Sequence, residues 1–411
     1  MIGTLGKRLL RVGFYTFLFF LFTPVAYAKN VEIVVEEELE PSISLALENY
    51  CSDLVASGYT PTIYAYNSLT GSPGALKSYL QTRWVSGNLD GTVFVGDLPI
   101  ATYEMNNDFY GYSSFPSDLF YMDLDGNWLD SDGNGLFDTH ISGGGDVSPD
   151  IWFGRITTST LGDEAQLIND YFQKNHDYRA GNLTFNNEAL VYIDDDWYDW
   201  ADSWNDDVQM AYPGATELVK EKDTTNADDY RNQLQNGNYE SMLQAIHSNY
   251  YYLAFKDENL PLSYVNYDEI PVLNPQIGFY NFFDCSFANF TEFYYMAGRY
   301  IFDTDYGLAG IGSTKIGSML NFDDFYGVLR DSAMGEAFLS WFSTQGADGY
   351  QLWEKQWFYG MTYLGDPTLG LGGMAAPYNP VIPEPGTWFL LSSGLLGLAA
   401  FGRKKRLMVA S

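Results

Sequence analysis

From Val31 onward the chain alternates short apolar runs with longer amphipathic ones, and no other feature limits its fold as strongly. Val31–Val35, Pro61–Tyr66 and Gly91–Asp97 have the length and the β-branched or aromatic make-up of strands. Ser42–Ala56 and Pro73–Val85 lie between them and read as helices. A parallel pair needs a crossover of a dozen or more residues, so units of this size favour a parallel sheet covered by helices. An acidic stretch rich in Asp, Gly and Tyr interrupts the pattern from Leu98 to Asp150. The alternation then resumes with strands at Ile151–Ile156 and Ala189–Ile193 and helices at 163–178 and near 200–211. Further helices are expected at 291–302, 321–330, 332–345 and 353–361, with Gly307–Lys315 after the first of them. The expected fold is α/β, with an N-terminal subdomain at 29–150 that carries the acidic insertion and a second at 151–374. Two subdomains and one doubled sheet both fit this order.

Two strand-like runs in the second half end on chemically useful residues. Tyr239–Ile246 is closed by His247 and Ser248, and Gln276–Asp284 by Cys285 and Ser286. Ligands of open parallel sheets bind beyond the carboxyl ends of the strands, so neighbouring strands would bring an imidazole and a thiol to one crevice. Such a pair can attack a carbonyl. The chain has only three histidines and two cysteines, which keeps the alternatives few. The plainer reading is a buried cysteine and a hydrogen-bonded histidine at a strand end. In an exported chain a Cys51–Cys285 disulfide is a further alternative, one that would remove the nucleophile. Cys51 falls in the Ser42–Ala56 helix, where a small buried hydrophobe is its ordinary role.

The two ends read as addresses. Residues 1–28 carry a basic start at Lys7, Arg8 and Arg11, an apolar core from Val12 to Phe22, and the small-residue ending Ala26-Tyr-Ala28, as in a secretory signal. After a Pro-rich linker at 375–386, an apolar segment from Trp388 to Phe401 precedes the basic cluster Arg403–Arg406. It is short against the ~20 residues of a spanning helix, and the basic cluster suits a stop at the cytoplasmic face. Pro383-Glu-Pro385, the apolar segment and the basic cluster, in that order, resemble the PEP-CTERM sorting signal at 387–411. The resemblance implies export from a Gram-negative bacterium, transient inner-membrane contact through a transmembrane segment, processing by an exosortase-type enzyme, and a final place at the cell surface or outside it.

Net charge bounds the partners. The chain carries 21 Lys and Arg against 53 Asp and Glu, a formal charge of −32. Loss of the two basic ends would make the mature region more acidic still. Such a field repels nucleic acid, whose phosphates need clustered Lys and Arg, and it attracts divalent cations. Within the insertion, Asp130, Asp132, Asn134 and Asp138 stand at positions 1, 3, 5 and 9 of a calcium-type loop, with Gly135 at position 6. Position 12 is Ile141, so no bidentate closing ligand is present, and Asp123 and Asp125 upstream are candidate substitutes. Structural Ca2+ that orders the insertion is the expected cofactor. The plainer reading is a solvated Asp/Gly turn.

Taken in order, several stretches resemble the gingipain-type family of caspase-like cysteine peptidases. They are Val93–Asp97, Phe115–Gly126, Asp150–Arg155, Ala245–Ser248, Phe283–Ser286, Ile311–Thr314, Gly335–Phe338 and Leu364–Leu369. The resemblance implies a caspase-like parallel-sheet sandwich of two subdomains, with His247 at the family's histidine position and Cys285 at its nucleophile. It also implies an oxyanion site made by the backbone N–H groups of Ser248 and Cys285. The family places Gly after the histidine, whereas Ser248 stands here and resists the backbone angles that Gly allows. Asp194–Asp196 could bring a carboxylate to His247, but a solvated acidic turn or a cation site is the plainer and favoured reading, and no orienting residue follows from the sequence.

Three functions therefore compete. The first is an exported cysteine endopeptidase acting on peptide or protein substrates through His247 and Cys285. The second is a calcium-stabilised surface or matrix protein on the same fold, without catalysis. The third is a glycoside hydrolase, which the many acidic and aromatic residues allow, although nothing selects a carboxylate pair.

Overall fold

The computed structural model describes residues 28–257 and 260–373. The signal segment before Ala28, the linker and the C-terminal sorting segment lie outside them. Among the described residues, no helix is long and apolar enough to cross a membrane.

Ten strands form one central sheet. In chain order they are β1 (Lys29–Glu36), β2 (Tyr59–Tyr66), β3 (Gly91–Val95), β4 (Trp152–Ile156), β5 (Ala189–Ile193), β6 (Thr216–Val219), β7 (Asn238–Ala245), β8 (Gln276–Phe283), β9 (Ala309–Ser313) and β10 (Met361–Gly365). Their spatial order is β6-β5-β7-β8-β9-β10-β4-β3-β1-β2. The doubled sheet is thus the arrangement found. Its first half, β1 to β4, and its second half, β5 to β9, are each internally parallel. β10 runs antiparallel to β9 and meets β4 at Leu364 and Arg155, so the last strand among the described residues joins the halves. Ile151–Ile156, expected to open the second subdomain, belongs to the first half of the sheet.

The strands form here because they can be buried on both faces. β3, β4, β5, β9 and β10 are buried along their whole length, which is why they read as unbroken apolar runs rather than alternations. Alternate residues feed two cores. Ile33, Val35 and Val93 pack on one face with Ile43, Leu47 and Tyr50 from the helix Glu40–Ala56. Val34 and Phe94 pack on the other with Leu76 and Leu80 from the helix Pro73–Val85. Helix starts are fixed locally: the side chains of Ser72, Asp163 and Asn226 accept the first free N–H groups of their helices.

The acidic insertion is ordered as two small antiparallel pairs, Thr102–Asp108 with Gly111–Pro116 and Asn127–Leu129 with Thr139–Ile141. Asp118 ties it to the sheet. Its carboxylate takes two hydrogen bonds from the buried Arg155 of β4 and one from Thr362 of β10. The Leu364–Leu369 stretch has an equally structural task. Asp366 is fully buried and accepts from Tyr50, Asn175, Arg179 and Thr368. Burial opposes its charge, but Arg179 and these donors hold its pKa below the ordinary carboxylate value.

The carboxyl ends of both half-sheets open on the same rim. Tyr295, on the loop that follows β8, donates to the carbonyl of Thr157 just after β4 at 2.9 Å. A cavity of about 370 Å3 on this rim is lined by Asp97 after β3, Arg155 and Thr157, together with Phe290 and Thr291 from that loop. Neither His247 nor Cys285 lines it.

Candidate active site

His247 and Cys285 follow the ends of two paired strands. β7 and β8 pair in parallel up to Ala245 opposite Phe283, and the two residues follow at the same offset beyond each strand end. The two cysteines are unbridged. Cys51 lies half-buried on its helix, where burial and Glu48 push its pKa to about 11.

Beyond β7, His247 and Ser248 begin an antiparallel ribbon that continues through Tyr252–Asp257 and Leu260–Asn266. This ribbon holds the imidazole at the surface of the rim. His247 Nε2 lies 2.8 Å from Asp196 Oδ2, and its ring rests 4.5 Å from that of Trp197. Both partners come from the turn after β5, the strand next to β7. Asp196 also receives Lys256 Nζ at 2.7 Å. Its partial burial opposes ionisation, but the hydrogen bonds from Lys256 and His247 prevail and hold its pKa below the usual value. Asp194 is turned inward, where it accepts the Lys256 N–H, and burial raises its pKa to about 7.

Cys285 sits at a tight turn. Ser286 has φ of 57°, a left-handed value uncommon for a residue with a Cβ, and its N–H is taken by the carbonyl of Lys315 at 2.7 Å. Burial raises the Cys285 pKa; the Gly317 N–H pulls it down, Asp284 pushes it up, and Lys315 lowers it again. Burial prevails, so the thiol is protonated at neutral pH. Gly317 has φ of +134°, and a Cβ there would meet the Trp357 carbonyl at 2.6 Å, so only glycine can bring that N–H to the sulfur. Lys315 itself is buried and paired with Asp108 at 2.9 Å.

Ser248 needs no unusual backbone. It is absent from the residues of positive φ, so the strain expected from replacing Gly does not arise. Its hydroxyl donates to the Cys285 carbonyl at 2.9 Å.

The acidic residues singled out as cation ligands form two groups rather than one. Asp132 and Asp138 converge with Glu104, which the sequence reading missed, and Asp123 and Asp125 converge with Asp150. Asp130 belongs to neither group; its oxygens accept the N–H groups of Gly133, Asn134 and Gly135 and shape the loop. Asn134 donates its amide to Glu104. His140 is buried between Asp123 at 2.6 Å and Tyr359 at 2.7 Å, stacked on Trp128.

An α/β sheet that offers a free thiol and an imidazole at the ends of adjacent parallel strands has the architecture of a caspase-like peptidase. The chain belongs to peptidase family C25, whose family model matches residues 46–372, and it is thereby a member of a cysteine-peptidase family. A PEP-CTERM protein-sorting motif matches residues 381–406 and marks the chain for export and processing by a sorting system of a Gram-negative cell. No curated protein matches the chain. Among solved structures, a putative transcription regulation repressor of the LacI family from Corynebacterium glutamicum is 14% identical, over 52% of this chain and 65% of that one. Its TM-score of 0.15 is too low to bear on the fold.

Proposed function

We propose that the protein is an exported cysteine endopeptidase in which Cys285 is the nucleophile and His247 the general acid and base. The observation that carries this reading is the pairing of β7 with β8, which sets both residues at the ends of adjacent strands within a C25 chain. A hydrogen on His247 Nε2 directed at Asp196 leaves Nδ1 to exchange protons with the thiol and the leaving amine. Cys285 loses its proton to His247 as its sulfur bonds to the scissile carbonyl. The tetrahedral intermediate collapses to a thioester as His247 returns the proton to the amine. Water, activated by the same ring, then hydrolyses the thioester.

The oxyanion is assigned to the backbone N–H groups of Ser248 and Cys285. Asn249 bonds to Tyr252 across the ribbon, so the alternation of an antiparallel ladder turns the Ser248 N–H outward, away from the paired strand. In a known hydrolase one such donor is worth about 3–4 kcal/mol. Asp196 is assigned the orienting role, and the substrate is a peptide or protein outside the cell.

We also propose structural Ca2+ in the insertion, with Glu104, Asp132 and Asp138 as oxygen ligands, the donor type this ion prefers. Asp123, Asp125 and Asp150 offer a second set. The rival reading, a calcium-stabilised protein without catalysis, draws on the raised pKa of Cys285. Cleavage of a peptide library by the mature protein, with the thiol free and calcium present, separates the two. Activity should vanish on thiol alkylation and in Cys285→Ala. No cleavage by the untreated protein would reject the peptidase.

A further inference from the structure

We infer that Asp284 and Ser248 are positioning residues, forming with Gln244 a clasp that holds His247 in register with Cys285. The inference rests on the catalytic assignment of those two residues for its kinetic consequence, but the clasp itself is a matter of geometry.

The backbone ladder between β7 and β8 ends at Ala245 and Phe283. Without further bonds, the next two residues of each chain would be free to splay, and these include the imidazole and the thiol. Side chains continue the connection. Asp284 Oδ1 accepts the Ile246 N–H at 3.2 Å, and Oδ2 accepts Gln244 Nε2 at 2.6 Å. On the other side of the histidine, Ser248 Oγ donates to the Cys285 carbonyl at 2.9 Å. Both sequence neighbours of His247 are therefore bonded to the Asp284-Cys285 pair.

The clasp is backed from within. Gln244 Oε1 accepts the Tyr230 hydroxyl at 2.6 Å, and Tyr230 in turn meets the Tyr300 hydroxyl at 2.8 Å. Tyr230, Tyr300, Gln244 and Asp284 are all buried, so water does not compete for these bonds. Asp284 has only neutral donors as hydrogen-bond partners, which is a costly way to use a buried carboxyl if stability were the only return. A carboxyl here supplies two acceptor oxygens to two donors at once. An amide supplies one, and a hydrocarbon none.

The test compares wild type, Ser248→Ala, Ser248→Thr and Asp284→Asn in the full mature chain. Two readouts are taken: kcat and KM on a cleaved peptide, and the pH dependence of Cys285 alkylation by iodoacetamide, followed at that residue by mass spectrometry. Ser248→Ala and Asp284→Asn should each lose about tenfold or more in kcat, with KM within about twofold, as a misplacement of reacting groups does. Ser248→Thr, which keeps the hydroxyl, should recover most of the loss. The alkylation profile of the two impaired variants should move toward that of His247→Ala. Wild-type kcat and an unchanged profile in both would overturn the clasp and leave the peptidase intact. If wild type cleaves no peptide, the peptidase falls, and the alkylation profiles alone decide the clasp. Should Asp284→Asn fail to fold, the Ser248 pair carries the decision.

Discussion

His247 Nε2 meets Asp196 Oδ2 at 2.8 Å, while Lys256 Nζ donates to both oxygens of Asp196 at 2.7 Å. The carboxylate is thus shared between an imidazole and an ammonium, and both contacts keep it ionised. Replacing Asp196 with Ala removes the carboxylate bonded to the ring, to which the orienting role is assigned. Cleavage should fall about 10- to 100-fold in kcat, up to the lower edge of the ~100- to 10,000-fold typical of general acid–base catalysis, because the histidine itself remains. The melting temperature should stay near that of wild type, because the pair is half-exposed and such ion pairs contribute little. Steady-state kinetics beside a thermal melt checks this; an unchanged kcat would remove Asp196 from the mechanism.

Burial raises the Cys285 thiol above its ordinary range. A thiol held above its ordinary range is mostly protonated at neutral pH, and each unit of pH below its pKa reduces the thiolate about tenfold. Alkylation of Cys285, and cleavage where proton removal limits the rate, should climb steadily from pH 7 to 9 rather than level off. A plateau below pH 7 would mean that the thiol is already ionised as a pair with His247.

Glu164 is raised to about 8 by burial and by the charges of Asp97 and Glu36, and one of its buried oxygens has no hydrogen-bond partner. A carboxyl whose folded pKa exceeds its unfolded value stabilises the fold fully below the unfolded pKa, here about 4.5, and that contribution is lost as pH rises through about 8. Glu164→Gln should therefore melt higher than wild type at pH 8.5 and at the same temperature near pH 4.5. Equal melting at both values would show that Glu164 is better solvated than its surroundings suggest.

If Ca2+ occupies the Glu104, Asp132 and Asp138 group, it stabilises the folded chain by mass action, about 2.7 kcal/mol at a hundredfold excess over its dissociation constant. Chelation should lower the melting temperature by several degrees, and Asp132→Ala with Asp138→Ala should abolish the response. A response that survives these changes but fails in Asp125→Ala would move the ion to the second group.

Much of this was legible before the fold was known. Burial on both faces leaves parallel strands with unbroken apolar runs, so β3, β4, β5, β7 and β8 could be read, and with them the ends where His247 and Cys285 sit. β10 escaped because it is five residues long and directly follows the helix Leu352–Phe358, whose expected end at 361 overran the strand. The helix expected at 291–302 begins only at Met296, since Asn289–Tyr295 is turned to meet Thr160 and Thr157 across the rim. Asp196 was one of three adjacent acids. Only the turn after β5 distinguishes it, by sending Asp194 inward and Asp196 to the histidine. The acidic loop divided into two groups because Glu104 and Asp150, distant in sequence, complete them.

β10 has a consequence for how the chain is made. The strand that fills the gap between β9 and β4, at Met361–Gly365, is the last of the described strands to be synthesised, whereas β4 and β9 precede it by some 200 and 50 residues. Without it, β9 and β4 would each present an unpaired border, the kind of edge that pairs with other chains. The ten-stranded sheet therefore cannot be complete until Met361–Gly365 has been made. The strand that joins the halves lies only some fifteen residues ahead of the sorting motif.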